Sequence, residues 1–422
     1  MRYLYLSLQT LTLWLLLVSS NLHSANGAYM IGYGTKSRGM AGISIALPQD
    51  ALVSLTNPAG MVWIGNRVDA NIAYLHTKYW EEISGNAFGK NGHADLNTFR
   101  NVGSAEAGYN HMITSRFSLG ATVAPLAGGI VHHRKRLSDP AGQGPHKISV
   151  AFGALSPCFA TRIGCNHSIG AAVDLVVGLI DVQGFESIQI NFGSASPSKV
   201  TNNGWDIAPG VGVRLGWLTR ATPRLRIGAA YRSKTYMMRF KKYEGFLTPR
   251  GKVNLPQRID IGAAYDLGCS TTVAVDIGKV YYKQIRTWSG PAFDATKPRW
   301  GAPGGPGLGW NNQTIMKAGI AHKFCALSSN FTGRLGLNYS PSPIRRTRTN
   351  NNNSTPATTR YHVTTGLSWK QRCGAEWSLA YGAGLQERIR GTDASIPTAT
   401  GGGRSDIYSL IHRLEIGWGC QL

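Results

Sequence analysis

From Arg67 to its end the chain repeats one kind of writing: segments of about ten residues in which apolar side chains alternate with polar or small ones. The first sets Val68, Ala70, Ile72 and Tyr74 against Asp69, Asn71, Ala73 and Leu75. Further copies are expected near Val102–Met112, Phe117–Ala127, Ile148–Phe159 and Ser168–Gln183, then near Trp205–Trp217, Leu225–Phe240, Val253–Asp266, Thr272–Trp288 and Thr314–Phe324. The last four lie near Phe331–Ser340, Tyr361–Trp369, Trp377–Arg390 and Ile407–Cys420, for a total of roughly fourteen. A period of two puts successive side chains on opposite faces of a strand. The connectors alternate between short turns, such as Ile113-Thr114-Ser115 and Leu267-Gly268-Cys269, and long polar or Gly/Pro-rich stretches, such as Gly128–Lys147 and Ser289–Asn312. An even number of strands joined short-long-short-long predicts an all-β fold, a 14-stranded antiparallel transmembrane β-barrel over 66–422.

The N-terminus fits export. Arg2 precedes an apolar run from Leu4 to Ser20, and Ala25-Asn26-Gly27 places small residues at −3 and −1, so residues 1–27 read as a signal peptide. No later stretch reaches the roughly 20 apolar residues of a membrane helix. The formal charge of +23 would suit a nucleic-acid binder. The bases are scattered, however, with clusters in expected loops at His132-His133-Arg134-Lys135-Arg136, Lys241-Lys242 and Arg345-Arg346-Thr347-Arg348. Such loops at a Gram-negative surface would meet outer-membrane lipid and anionic lipopolysaccharide. Nucleic acid is not an expected partner, and a closed barrel of this kind is expected to be a monomer.

Aromatics gather near expected strand ends: Tyr74, Tyr79, Trp80, Trp205, Trp217, Tyr281, Tyr282, Trp288, Trp369, Trp377 and Trp418. Interfacial girdles place amphipathic rings there. All six cysteines fall at the periplasmic end of this topology. Cys158–Cys165, Cys373–Cys420 and Cys269–Cys325 are the expected disulfides, out of the 15 patterns that six cysteines allow. There is no G-x-S-x-G, H-E-x-x-H, Walker A or G-x-G-x-x-G signature, so neither an enzyme nor a cofactor or metal is expected. A surface adhesin or structural barrel is the main alternative, and an outer-membrane lipase a weaker one. Glu387-Arg388 and Arg413-Leu414-Glu415 are expected to be lumen charges.

Between leader and strands lies Ser37–Gly60, Gly- and Ala-rich and without alternation, containing Gly39-Met40-Ala41-Gly42, Asp50-Ala51 and Asn57-Pro58-Ala59-Gly60. Downstream come Leu255-Pro256-Gln257-Arg258, Gly309-Trp310-Asn311-Asn312 and Asn338-Tyr339-Ser340-Pro341-Ser342-Pro343-Ile344. In this order and spacing the segments resemble the FadL family of outer-membrane long-chain fatty acid transporters. Leu422 departs from the terminal aromatic residue usual in outer-membrane barrels. The resemblance implies that residues 28–65 form a plug, or hatch, inside the lumen. It also implies a long-chain fatty acid or other hydrophobic ligand, passed to the membrane through a gap in the wall. Asp50, Asn57, Pro58, Ala59 and Gly60 are then the expected gate. Pro58 fixes a dihedral and removes a donor, so the turn is expected to release easily. Pro125, followed by Gly128 and Gly129, is the candidate lateral opening, because proline cannot donate to a ladder. It could equally just end its strand.

Overall fold

The computed structural model describes residues 26–133, 146–190, 193–294, 296–324, 330–398 and 401–422. Residues 1–25 of the expected signal peptide 1–27, Arg134 to Arg136 and Cys325 lie outside the described residues. Fourteen antiparallel strands form the wall: β1 (Arg67–Ser84), β2 (Asn101–Met112), β3 (Phe117–His133), β4 (His146–Ile163), β5 (His167–Gln183), β6 (Asp206–Arg220) and β7 (Leu225–Arg232). They continue as β8 (Arg258–Leu267), β9 (Thr271–Val280), β10 (Gln313–Lys323), β11 (Phe331–Tyr339), β12 (Tyr361–Lys370), β13 (Ala375–Ile389) and β14 (Arg404–Gln421). Two short strands, Gly92–Asp95 and Tyr236–Met237, pair onto β1 and β6 and complete a sheet of sixteen. Each wall strand pairs with its sequence neighbours. β14 closes on β1 along its whole length, from Gln421 opposite Arg67 to Arg404 opposite Ser84.

The alternation in β1 shows why this sequence makes a barrel wall. Ala70, Ile72 and Tyr74 face outward, while Asp69, Asn71, Ala73, Leu75 and Tyr79 are buried inside. Apolar-out and polar-in is the inverse of a soluble protein and is what a lipid exterior demands. Trp217, Trp369, Trp377 and Trp418 stand exposed near the short-turn end, and Trp377 lies opposite both Trp369 and Trp418 in register. The tight turns at that end use Gly164 (φ 64°) and Gly374 (φ 89°), conformations that glycine adopts without penalty. Among the described residues no helix is long and apolar enough to cross a membrane.

Three expected strand ends are corrected. β7 stops at Arg232, not Phe240, after which the chain turns inward and buries Phe240 and Tyr243. β8 starts at Arg258, just past Pro256, which has no N–H for the ladder. β9 ends at Val280, and the following Tyr282–Gln284 and Arg286–Ser289 are helical turns. Tyr282 and Trp288 are therefore not girdle residues. They are buried in the lumen with Trp310, ring centroids 4.9–5.7 Å apart.

A fourteen-stranded barrel is too wide for wall side chains alone to fill. Residues 26–65 fill it here. This segment carries one short helix, α1 (Thr35–Arg38), and two 3-10 turns, Ala51–Leu55 and Pro58–Trp63. Nearly all of it is buried.

Candidate functional site: lumen, plug and wall gap

The lower lumen is ionic. Arg38, at the end of α1, donates to both carboxylate oxygens of Glu106 at 2.8 Å and to Glu415 at 3.1 Å. Glu415 also pairs with Arg413. Lys36 meets Glu376 at 2.7 Å. The Lys317 ammonium donates to the carbonyls of Ile31 and Gly42, each at 2.7 Å, and Asp276 accepts from the amides of Ser44 and Ile45. Arg214 is buried against Asp174 and donates to the Ser54 carbonyl. Wall charges thus take up plug backbone groups that the plug's sparse secondary structure leaves without partners. Glu387 and Arg388 are not part of this network. They pair at the outer rim, Glu387 with Arg360 at 2.6 Å and Arg388 with Asp406 and Glu82.

The plug turn 57–60 rests on a flat area of wall. Asn57 Nδ2 donates to the carbonyls of Ile45 (2.7 Å) and Trp217 (3.0 Å), and Asn57 Oδ1 caps the following turn through the Ala59 amide at 3.1 Å. Pro58 occupies the first position of that turn, where a missing N–H costs nothing. A Cβ on Gly216 would collide with Asn57 Oδ1, and one on Gly170 would lie 2.6 Å from the Ala59 amide nitrogen. Gly60 sits against Val53 and Pro48, within the plug itself. Asp50 caps the other 3-10 turn by accepting from the Leu52 amide at 3.1 Å. Burial and the nearby Asp69 carboxylate push the Asp50 carboxyl up to about 7. One of the three Asn57 bonds, to the Trp217 carbonyl, reaches the wall, and the other two stay within the plug. The glycines that make room for it were not singled out from the sequence, although Gly170 faces Gly216 in the β5–β6 register.

The upper lumen is apolar. A cavity of about 360 Å³ lies beneath the outer loops, among Phe185, Phe246, Trp288, Phe293 and Trp300. A second, of about 70 Å³, shares Ile148, Val150, Trp288, Ser354 and Thr355 with it and extends to Gly128 and Gly129 of β3. The two cavities are neighbours behind a shared wall of side chains. No Lys, Arg, Asp or Glu appears among the described residues that line either cavity.

The smaller cavity lies beside a defect in the wall. β2 pairs with β1 from Asn110 up to Asn101, but with β3 only from Met112 to Ala107. Above Ala107 and Val123 the β2–β3 ladder stops, leaving Asn101–Glu106 unladdered on that side over roughly 20 Å. Pro125 stands just past the last pair, and a bulge follows it on the β4 side, between Pro125 and Ala127. Gly128 has φ 152°, and a Cβ there would lie 2.5 Å from the Val150 carbonyl. The gap is bounded above by the Asn97–His132 bridge and covered from inside by Tyr29, which bridges to Ala127. Tyr29 is in turn tied to the Pro256 carbonyl at 2.6 Å.

Two of the three expected disulfides, Cys158–Cys165 and Cys373–Cys420, are not formed. Cys158, Cys165, Cys269, Cys373 and Cys420 are free thiols. Cys158 faces the plug, buried beside Met61 and Val62, while Cys165 lies in the exposed turn beyond Ile163. Five strand residues separate Cys158 from that turn, roughly 16 Å, where a disulfide needs Cα atoms within about 7 Å. The Cys373 thiol donates to Gln371 Oε1 and the Cys420 thiol to the Gln421 carbonyl. Cys269 is exposed, and its expected partner Cys325 lies outside the described residues. Among the described residues no group of His, Cys, Asp and Glu could hold a metal ion.

Solved structures share this whole architecture. The P. putida toluene transporter TodX superposes with a TM-score of 0.69 at 16% identity, covering 93% of this chain and 99% of that one. The fold is that of the FadL-type outer-membrane channels. A Pseudomonas aeruginosa FadL homologue gives a TM-score of 0.69 at 14% identity (94% and 99% coverage), and the Ralstonia pickettii toluene transporter TbuX gives 0.63 at 15% (93% and 99%). No family model and no curated sequence matches the chain. The closed ladder and the apolar exterior are those of a membrane-spanning β-barrel with the FadL-type fold.

Proposed function

We propose that the barrel carries neutral hydrophobic molecules inward across the outer membrane and releases them sideways. A molecule enters the larger cavity under the outer loops, moves to the smaller one behind Gly128 and Gly129, and leaves between β2 and β3 once the Tyr29 segment shifts. The observation that carries this reading is the pair of neighbouring apolar cavities beside the ladder gap. A long-chain fatty acid fits the apolar length of the path, but its carboxylate would meet no cation among the described lining residues, and an unpaired charge out of water is costly. Toluene transport by TodX and TbuX, as those proteins are described, is consistent with a neutral ligand. The basic outer loops are assigned to lipopolysaccharide and lipid contact. The chain is assigned to act as a monomer, since the closed wall exposes no strand edge for pairing.

The test compares uptake of radiolabelled toluene and oleate by cells that make this protein as their sole such channel. Toluene uptake above the oleate rate, reduced by Val150→Trp at the place where the two cavities meet, supports the reading. Uptake of neither compound would leave a surface adhesin or structural barrel. Oleate alone would reverse the choice of ligand.

A further inference from the structure

A groove of about 510 Å³ lies on the outward face of β10 to β13, strands that take no part in the β2–β3 gap. Small residues in register make it. Gly333 of β11 stands between His322 of β10 and Leu367 of β12, and Thr365 lies opposite Leu335 two residues higher. Ile320, Leu335, Leu367 and Leu379 project from the wall around them, all exposed. Phe324 closes the lower end, where a Cβ on Gly333 would come within 2.9 Å of its ring.

The groove sits just above the aromatic girdle of the short-turn end. Trp369 is opposite Phe331, two residues below Gly333, and the two rings stack at 6.2 Å, with Trp377 opposite Trp369 on the next strand. Such rings mark the level where headgroups meet acyl chains. The groove is therefore at acyl depth, and the strand ends below it are at headgroup depth. Those ends are basic. Lys323 lies opposite Thr332, and the Lys370 amide donates to the Asn330 carbonyl. Both lysines are exposed, as is Arg372 in the turn beyond. β10, β11 and β12 contain no Asp or Glu, and Glu376 of β13 is taken up by Lys36 of the plug at 2.7 Å.

Within a bilayer an acyl chain gains no hydrophobic free energy by leaving other chains for the protein, so contact area decides where it stays. A chain in a groove touches protein on several sides, and one against a flat wall on a single side. We infer that this groove holds an acyl chain of an anionic glycerophospholipid from the leaflet at the short-turn end, with its phosphate beside Lys323 and Lys370. Lipopolysaccharide, a lipid of the opposite leaflet, would carry its phosphates at the far end of these strands. The site rests on the membrane-facing wall alone and is separate from the transport path.

The experiment places the folded full chain in nanodiscs of equal phosphatidylglycerol and phosphatidylcholine, releases it into mild detergent, and counts the retained lipids by native mass spectrometry. Phosphatidylglycerol is expected to remain bound, with a preference of roughly tenfold over phosphatidylcholine, because each nearby cation favours an anionic headgroup severalfold. Gly333→Leu fills the groove from its lipid side and should remove the retained lipid, with Thr365→Phe as the replacement if that variant does not fold. Lys323→Gln/Lys370→Gln/Arg372→Gln should leave a lipid bound but abolish the preference. Retention of no lipid by the unmodified chain overturns the inference, as does equal retention by the filled variant. A preference that survives the loss of all three cations also overturns it. Each of these failures leaves the transport reading intact, since that reading is tested by uptake.

Discussion

The upper and lower halves of the lumen are built from opposite materials. The upper half is aromatic and aliphatic, and it holds both cavities of the proposed route. The lower half is filled by the plug, and the plug is tied to the wall by buried charges: Arg38 to Glu106 and Glu415, Lys317 to two plug carbonyls, Asp276 to two plug amides. Between them lies the end of the β2–β3 ladder at Ala107 and Val123. The contrast is the reason we propose a side exit. An apolar solute gains nothing by entering the ionic half, and displacing the plug would break several charge-assisted hydrogen bonds at once. Moving the Tyr29 segment breaks instead bonds that involve no carboxylate, such as Tyr29 to the Pro256 carbonyl and the Ala28 amide to Tyr282.

Predictions that test this contrast run from large to small. Arg38→Ala should have the largest effect. It leaves Glu106 and Glu415 buried beside one fewer cation, and breaking a buried pair in this way costs about 3–5 kcal/mol. The plug should loosen, seen as new protease cleavage between residues 28 and 65 and as ion conductance in planar bilayers. An unchanged, silent barrel would mean that the plug is held by shape alone. Phe246→Arg should have an intermediate effect, by carrying a cation into the upper half. Uptake of neutral compounds should fall roughly tenfold, while that of oleate rises, because a charge now favours the carboxylate. If both compounds fall equally, the mutation has only blocked the cavity.

The smallest expected effect is that of pH on the plug. The folded-state Asp50 carboxyl titrates at about 7, above its value in an unfolded chain, because it is buried and faces Asp69. The protonated form therefore favours the docked plug. That contribution is fully present below about pH 4 and is lost as the pH rises through about 7. Protease protection of the plug should be modestly greater at pH 5 than at pH 8, and Asp50→Asn should remove the difference. Lys36, Arg67 and Glu106 also act on this group and would blunt the transition.

The wall was legible in the sequence because period-two alternation is local: each strand announces itself within about ten residues. Pro125 was legible for the same reason, since one residue without an N–H marks where a ladder falters. Features made by distant contacts were hidden. Asn57 bonds to the Trp217 carbonyl 160 residues away, over glycines that looked like ordinary barrel glycines. Tyr282 and Trp288 resembled girdle aromatics, because a loop that folds into the lumen ends a strand just as one that leaves the membrane does. The cysteine pairing failed on geometry. Shared placement at one end of the barrel does not bring Cys158 around from the lumen face to the turn at Cys165.

The central claim is that the solute leaves sideways past Tyr29. Tyr29 and Ala127 face each other across an isolated antiparallel bridge, a spacing within reach of a disulfide. In a chain with its native cysteines changed to serine, Tyr29→Cys/Ala127→Cys can be closed by oxidation and reopened by reductant, with toluene uptake followed throughout. Uptake that stops on oxidation and returns on reduction is the predicted result. Uptake that continues at full rate through the locked bridge would contradict the side exit and require a path down through the plug.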